Sequence, residues 1–499
     1  MNIFDTLRRK AASSEAWPPP EVRDHWQSIE EYRRRYRNDR AELITNDPNL
    51  STDQHKVETY VPVPWPRELC RFSSALLFSD TPQVSYAGDP SDLDDLLEVN
   101  DFGAFCIRGG IKAACDGRIG IRVLWDDDIS TTVPLITAVD ENQIVWDIRH
   151  GSFYAGGMVV ITRQADGDKK QDIYRLLEEH TKGLVKRTLY KGVRSELGKP
   201  VPLSTVAEFA DLAPEWETGL DVPTLVPWEN VPGAESDLFG MGPVFNEMNE
   251  AESLLLDRGR KSIPRVFVDK SLLDETGRAQ IDGIIPTGGS RVRPPLGATA
   301  GSLIETVDVK LQFAEHVDWI NHIAQLMVTV AGYAPSTWGI QGETASVQRA
   351  VSGYAMKLAQ LRTLLTRSAK EHMALQALGW GTAVAMTLQR GGHHVADNLP
   401  DIELGDGLPN DPLDGAQEVL FLRQAAAAST QTLVETIHPT WGPEAVQEEV
   451  NEIMDDAMMP PGTGQAQGVG PMGDVVKHLL RPGRSQKAGD GVDPTVGVE

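Results

Sequence analysis

Apolar and polar positions repeat along this chain with two different periods, and each period marks a different region. Between Val309 and Arg390 the period is helical. Phe313, Val317, Ile320, Met327 and Val330 recur at that spacing with Ile323 and Leu326 beside them, while Gln312, Glu315, Asp318, Asn321 and Gln325 take the other side. The spacing predicts a helix with one dry face, stopped at Gly332-Tyr333-Ala334-Pro335, where Gly accepts a helix-ending conformation and Pro disfavours a helical residue before it. Beyond a loop from Ser336 to Glu343 the pattern resumes with Val347, Ala350, Val351, Tyr354, Leu358, Leu361, Leu365, Met373 and Leu375. A helix unbroken from Ser346 to Arg390 would run roughly 65 Å at about 1.5 Å per residue. By pattern alone the pair is an αα-hairpin of an ordinary helical domain.

The same reading covers the rest of the chain. Residues 1 to 40 are helical on either side of Pro18-Pro19-Pro20, and an extended piece, Tyr60 to Pro66, leads into an apolar helix through Leu69, Phe72 and Leu76. Two helices follow, Asp92 to Asp101 and Gly103 to Cys115. The period then changes to two: Ile119, Ile121, Val123 and Trp125 alternate with Gly120, Arg122 and Leu124, which predicts a half-buried strand ending in an acidic turn, Asp126-Asp127-Asp128. Strand-like runs at Val133–Val139, Gln143–Ile148, Met158–Arg163, Ile173–Leu177 and Leu184–Tyr190 extend it into an antiparallel meander. Residues 200 to 236 are Pro-rich and extended. The helix from Met241 to Arg258 has Pro243 in its first turn and buries Met241, Val244, Phe245, Met248, Ala251 and Leu255. Residues 263 to 307 form an insert with short strands at Val266–Val268 and Ile281–Pro286. Helices at Asp414–Ala428, Thr430–His438 and Gly442–Met458 close the ordered part, and from Pro460 the Gly/Pro/Gln-rich tail reads as disordered apart from a short helix at Val475–Leu480. The fold class is α+β.

Composition narrows the function. The chain has 499 residues, 40% hydrophobic and 24% charged, as expected of a soluble globular protein of several modules. No run of about 18 apolar residues predicts a membrane span, and the first ten residues lack the features of a secretion signal. Cys70, Cys106 and Cys115, without paired metal-ligand spacing, read as reduced thiols. A formal net charge of −25 argues against a protein that grips nucleic acid, which needs clustered Lys and Arg. It suits a surface past which DNA slides, and equally a protein that is acidic for solubility. Residues 401 to 499 hold 17 acidic against 5 basic residues. Two local basic runs stand out: Tyr32 to Arg40, which suits nucleic acid, a solvated helix face or pairing with carboxylates, and Arg260, Lys261, Arg265, Arg291 and Arg293 around the insert, which suit an acidic partner face or pairing within the chain.

Candidate chemistry is thin. The triple aspartate could hold a hard cation and His393-His394 a transition metal, but adjacent strand residues point to opposite faces and adjacent histidines do not easily share one ion. Pro286 to Arg291 is Gly-rich without the Lys-Ser/Thr ending of a phosphate loop, and there is no nucleophile elbow. No catalytic residue, metal or cofactor is assigned. A metal-dependent hydrolase is the enzymatic alternative.

The order of parts resembles the portal proteins of tailed bacteriophages, of the siphophage type. The pieces that carry the resemblance are the helix Met241 to Arg258, the insert to about Asp308, the helix Leu311 to Ala331, the loop, and Glu343 to Gly353 at the start of the long helix. The resemblance implies an N-terminal arm and β-rich wing (1–236), a stem helix (237–262), a small α/β clip (263–307), a second stem helix (308–332), a tunnel loop (333–345), a long helix returning through the wing (346–410), a helical crown (411–458) and an acidic tail (459–499). It implies a non-enzymatic ring, a dodecamer in the family, at one capsid vertex of the virion, assembled in the host bacterial cytoplasm. Double-stranded DNA would pass through without sequence specificity or any membrane. The terminase large subunit and then a head-tail adaptor would dock at the clip, with major capsid and scaffolding proteins around the ring. On this resemblance Tyr333, Ser336, Thr337, Trp338, Gly339, Gln341 and Gly342 form the DNA-channel loop, and the basic residues around the insert face the docking partners. The apolar stripe, represented by Val317 and Ile320, faces a neighbouring subunit, because side chains worth roughly 1.5 to 3 kcal/mol each when buried are costly to leave wet. Another ring-forming virion protein, such as an adaptor, is the structural alternative, although adaptors are usually much shorter.

Overall fold

A computed structural model describes residues 17–47, 50, 54–86, 91–150, 153–165, 172–261, 265–268, 304–307, 313–340, 353–405, 429–437 and 443–458. The chain divides into two units, Met1–Gly407 and Leu408–Glu499. In order, the first unit contains α1 (Pro20–Arg37), α2 (Arg40–Asn46), α3 (Gln54–Thr59), α4 (Trp65–Phe78), β1 (Gln83–Ser85), α5 (Ser91–Val99) and α6 (Phe102–Asp116). Strands β2 (Arg118–Asp126), β3 (Ser130–Asp140), β4 (Ile144–Arg149), β5 (Phe153–Gln164), β6 (Ile173–Thr181), β7 (Leu184–Val193), β8 (Glu196–Val201), β9 (Glu215–Glu217) and β10 (Leu225–Glu229) follow. Then come α7 (Gly242–Lys261), β11 (Arg265–Val268), β12 (Ile304–Val307), α8 (Phe313–Val330), α9 (Gly353–Gln389) and β13 (Asp401–Glu403).

The expected single meander is two sheets. Strands β4 to β8 do run as an antiparallel meander, with β9 also pairing β7, but β2 and β3 belong to a separate sheet of order β10-β2-β3. Its third strand comes from the segment read as merely extended: Leu225 to Glu229 pair with Arg122 to Arg118. Alternation reveals the faces of a strand, not which strand lies beside it, and so the break between sheets left no local mark. The first half of β2 is more deeply buried than the expected half-buried strand. Ile119, Ile121 and Val123 pack into the core with α9, while Gly120 on the opposite face lies so close to Ile144 and Leu225 that a side chain there would collide with them. Both faces of β2 are therefore buried from Arg118 to Ile121, while Arg122, Leu124, Trp125 and Asp126 are half-buried.

The long helix is the axis of this core. α9 has 37 residues, about 56 Å at about 1.5 Å per residue; residues 346–352, where the spacing predicts its start, lie outside the described residues. From Ala377 to Thr387 nearly every position is buried, between the β10-β2-β3 sheet and helices α4 to α6. Alanine and glycine allow this close approach. The expected stripe on its first half is not the buried face: Leu361 and Leu365 are 48% and 63% exposed, whereas Thr363, Lys370 and Ala374 are buried.

α7 and α8 pack on each other as a hairpin. Met241, Phe245, Met248 and Ala251 are buried as the spacing predicts. The described ends of the insert pair antiparallel, Arg265 with Val307 through Val268 with Ile304; the expected strand at Ile281–Pro286 lies outside the described residues. On α8 the buried face is His316, Ile323, Ala324, Met327 and Val328. The predicted stripe therefore splits, because Phe313, Leu326 and Val330 are 57%, 45% and 54% exposed.

Three arginines of the basic run pair with carboxylates, and Arg40 donates to Tyr60 O at 3.0 Å. Arg33 forks onto Asp116 and reaches Asp140 at 3.0 Å, Arg35 pairs with Glu31 at 3.0 Å, and Arg37 bridges Glu30 and Glu42 at 2.9 and 3.0 Å. The three cysteines are free and buried.

In the second unit, α10 (Thr430–Ile437) and α11 (Pro443–Met458) pack together through Leu433, Val434, Val446 and Val450. The helix expected at Asp414–Ala428 and the tail from Pro460 lie outside the described residues.

Candidate functional site

The turn after α8 is where the resemblance implies a channel loop, and its start is firmly held. Gly332, at φ 89°, ends the helix in a conformation that favours glycine, and Tyr333 N–H donates back to Val328 O at 3.0 Å. Pro335 opens a short 3-10 turn, Pro335–Trp338, and Gly339 at φ 67° closes it. One face of α9 meets this turn with polar side chains. Thr366 donates to Gly332 O at 2.6 Å, Thr363 Oγ1 accepts from Ala334 N–H at 2.9 Å, and one helical turn further stands Lys370.

Lys370 is 2% exposed and charged groups rarely sit so deep unless paired. Its ammonium lies 2.6 Å from both oxygens of Asp237, 2.6 Å from Ser73 Oγ and 3.2 Å from Tyr333 Oη. Asp237 also accepts from Asn230 Nδ2 at 2.8 Å and from the Tyr333 hydroxyl at 3.3 Å. Burial first, and then the Asp237 carboxylate, push the Tyr333 phenol well above its ordinary pKa, so it is a neutral donor. Around the charges lies an aromatic cluster. Trp338 stacks obliquely on Phe72 and Trp65 at 4.5 and 5.5 Å, and Tyr333 meets Phe72 edge-on at 5.1 Å.

These positions revise the expected loop. Tyr333 is fully buried, so its bulk fills the core and not a channel. An apolar ring beside an aromatic cluster gains more from burial than from exposure. Trp338 is half-buried in the same cluster, Thr337 is half-buried and donates to Ala334 O at 2.6 Å, and Ser336 and Gly339 are exposed. Gln341 and Gly342 lie outside the described residues. Val317 and Ile320 are half-buried, with Ile320 against the core of its own chain. Arg260 is exposed at the end of α7. Arg291, Arg293 and the side chains of Lys261 and Arg265 lie outside the described residues.

Sequence reasoning missed Asp237, Lys370, Thr363 and Thr366. The available signal was a polar series, Thr363, Thr366 and Lys370, at the helical spacing that continues into buried Ala374 and Ala377. The other candidates are used locally: Asp126 accepts from Asp128 N–H at 3.1 Å, His393 Nδ1 lies 3.0 Å from Gly219 O, and His394 lies 3.2 Å from Asp221. Among the described residues no group of three or more His, Cys, Asp or Glu is placed to hold a metal ion, and no helix is long and apolar enough to cross a membrane.

No family model matches the chain, and no curated protein does. Among solved structures it is similar to a chain of the neck of an empty GTA particle computed with C6 symmetry, at 10% identity and TM-score 0.42, covering 76% of this chain and 91% of that one. It is also similar to a chain of the virion of a native gene transfer agent (GTA) particle, at 10% identity and TM-score 0.41, covering 86% and 98%. A likeness of this depth assigns neither family nor function.

Proposed function

We propose that this chain is a portal subunit, forming a ring through which double-stranded DNA is packaged and released. The observation that carries the reading is the linkage of α7, β11, β12, α8 and α9. Two paired helices flank an insert whose described ends are joined as strands, and a fixed turn then delivers the chain onto a helix that runs through the core. In this reading α7 and α8 are the stem, the insert is the clip, and Ser336 to Gly342 line the channel on a base fastened by Tyr333. Arg260, Lys261, Arg265, Arg291 and Arg293 would face the terminase large subunit and then the adaptor.

Ring formation accounts for apolar surface that a single chain leaves wet. Leu326 and Val330 lie within about 40° of each other around α8 at about 100° per residue, both are exposed, and Leu361 and Leu365 stand one turn apart on α9. Because Ile320 packs within its own chain, an aspartate there would disturb folding as well as assembly, and the exposed pair is the cleaner test. Leu326→Asp with Val330→Asp is expected to abolish rings in sedimentation velocity while leaving the thermal midpoint of the subunit nearly unchanged. Intact rings from that variant would remove this flank from the interface.

A further inference from the structure

The α7/α8 hairpin is attached to the rest of its unit through an apolar core and through a set of directional polar contacts. Beyond each other, the two helices share buried apolar surface with Leu69 and Cys70 of α4 and with Ala114 and Cys115 of α6, and they also meet α3 and the turn Pro335–Trp338. At mid-length a strap crosses α7: Asn249 Oδ1 accepts from Val63 N–H at 2.8 Å, Ser253 Oγ accepts from Val61 N–H at 2.9 Å, and Asn249 Nδ2 donates to Tyr60 Oη at 2.9 Å. At the base, Asp237 stands just before α7 begins and Tyr333 just after α8 ends. Both are tied to the same atom, Lys370 Nζ on α9, and Ser73 brings α4 to that atom as well.

We infer that Lys370 is a positioning residue, a single buried cation that fixes where both ends of the α7/α8 hairpin sit against α9 and α4. Three segments far apart in sequence converge on it, and its three N–H donors are matched by acceptors from all three. Apolar contacts are non-directional and tolerate sliding. An ammonium shared between a carboxylate, a hydroxyl and a phenol is satisfied in one arrangement and penalised in neighbouring ones. Tyr333 extends the constraint into the turn, since its ring packs on Phe72 while its hydroxyl joins Lys370 to Asp237. Release of the cation removes the directional constraint at both ends of the hairpin, while its apolar core with α4 and α6 and the sheets stay in place.

Hydrogen exchange read by mass spectrometry on the full chain tests this with three variants. Tyr333→Phe keeps the ring and removes only the hydroxyl; exchange in peptides spanning 328–338 and 234–245 is expected to rise by about fivefold or more while β2 to β7 stay protected. Lys370→Met should do the same more strongly. Lys370→Met with Asp237→Leu replaces the ion pair by apolar bulk, and is expected to recover the thermal midpoint without recovering protection of those two segments. Wild-type exchange there in Tyr333→Phe, or wild-type protection in the double variant, would overturn the assignment. Uniform loss of protection through β2 to β7 in the double variant would also overturn it, by making the pair a general stability element.

Discussion

Gly109 on α6 and Trp228 on β10 share a space that admits one side chain. A Cβ placed on Gly109 would run into the six-membered ring of the indole, with Cη2 and Cε3 at 3.1 and 3.2 Å, and Trp228 is only 2% exposed. The ring cannot retreat freely, because Phe78 meets it edge-on at 5.9 Å. α6 and the three-stranded sheet are thus locked in distance by a missing methyl group. Gly109→Ala should lower stability by about 1 to 3 kcal/mol of overpacking strain, offset in part by roughly 0.8 to 1 kcal/mol of helix propensity. A thermal melt with near-ultraviolet circular dichroism for the Trp228 environment checks it; a raised midpoint with an unchanged spectrum would show that the indole yields at no cost.

Acid should loosen the contact between the two sheets. His180 on β6 is buried with Nδ1 2.8 Å from Thr224 Oγ1, and Glu178 beside it pairs at 2.7 Å with both Arg122 and Arg187. Burial lowers the His180 pKa below 6.5, helped by the two guanidiniums and only partly opposed by Glu178. For Glu178 burial acts upward, but His180, Arg122 and Arg187 outweigh it and hold the carboxyl far below 4.5. A depressed histidine leaves the folded state with fewer protons than the unfolded one as pH falls below 6.5, so stability declines from there. The carboxylate's contribution is full above 4.5 and is lost as pH falls further toward the depressed value. Thermal midpoints between pH 7.5 and about 5 should therefore fall, and His180→Gln should flatten that slope. An unchanged slope would assign the acid sensitivity elsewhere.

Arg33 is structural. Asp116 has a side chain 1% exposed and depends on the Arg33 fork, and stripping a buried carboxylate of its partner typically costs about 3 to 5 kcal/mol. Arg33→Ala should lower the thermal midpoint by several degrees, and Asp116→Asn in the same chain should restore part of it, because the uncompensated charge is then gone. Failure of the second change to restore anything would mean that the loss is packing.

Periodicity made most elements of the first unit legible: the faces of α7, the strands from β3 to β7 and the end of α9 at Gly391 all follow from local spacing and turn chemistry. What spacing could not supply was partnership. Leu225 to Glu229 show no sign that they complete a sheet begun at Arg118, and Asp237 and Lys370 are separated by the whole of the α7/α8 hairpin and its insert. Tyr333 was legible as a loop residue by its place between Gly332 and Pro335, yet its burial depends on Phe72 and Ser73 arriving from α4. The stripe on α8 was read as one face because every member is apolar; it divides because Ile320, Ile323 and Met327 pack in the core of the same chain while Phe313, Leu326 and Val330 are left exposed.

In the proposed function this chain closes into a ring around a channel. Electron-microscope class averages of the purified full chain, with mass from sedimentation equilibrium, measure this directly. The account predicts closed, axially symmetric rings of dodecameric size with an open centre, reduced to single subunits by Leu326→Asp with Val330→Asp. A wild-type chain that remains a monomer at every concentration tested, or that assembles into open filaments without a central channel, would contradict it.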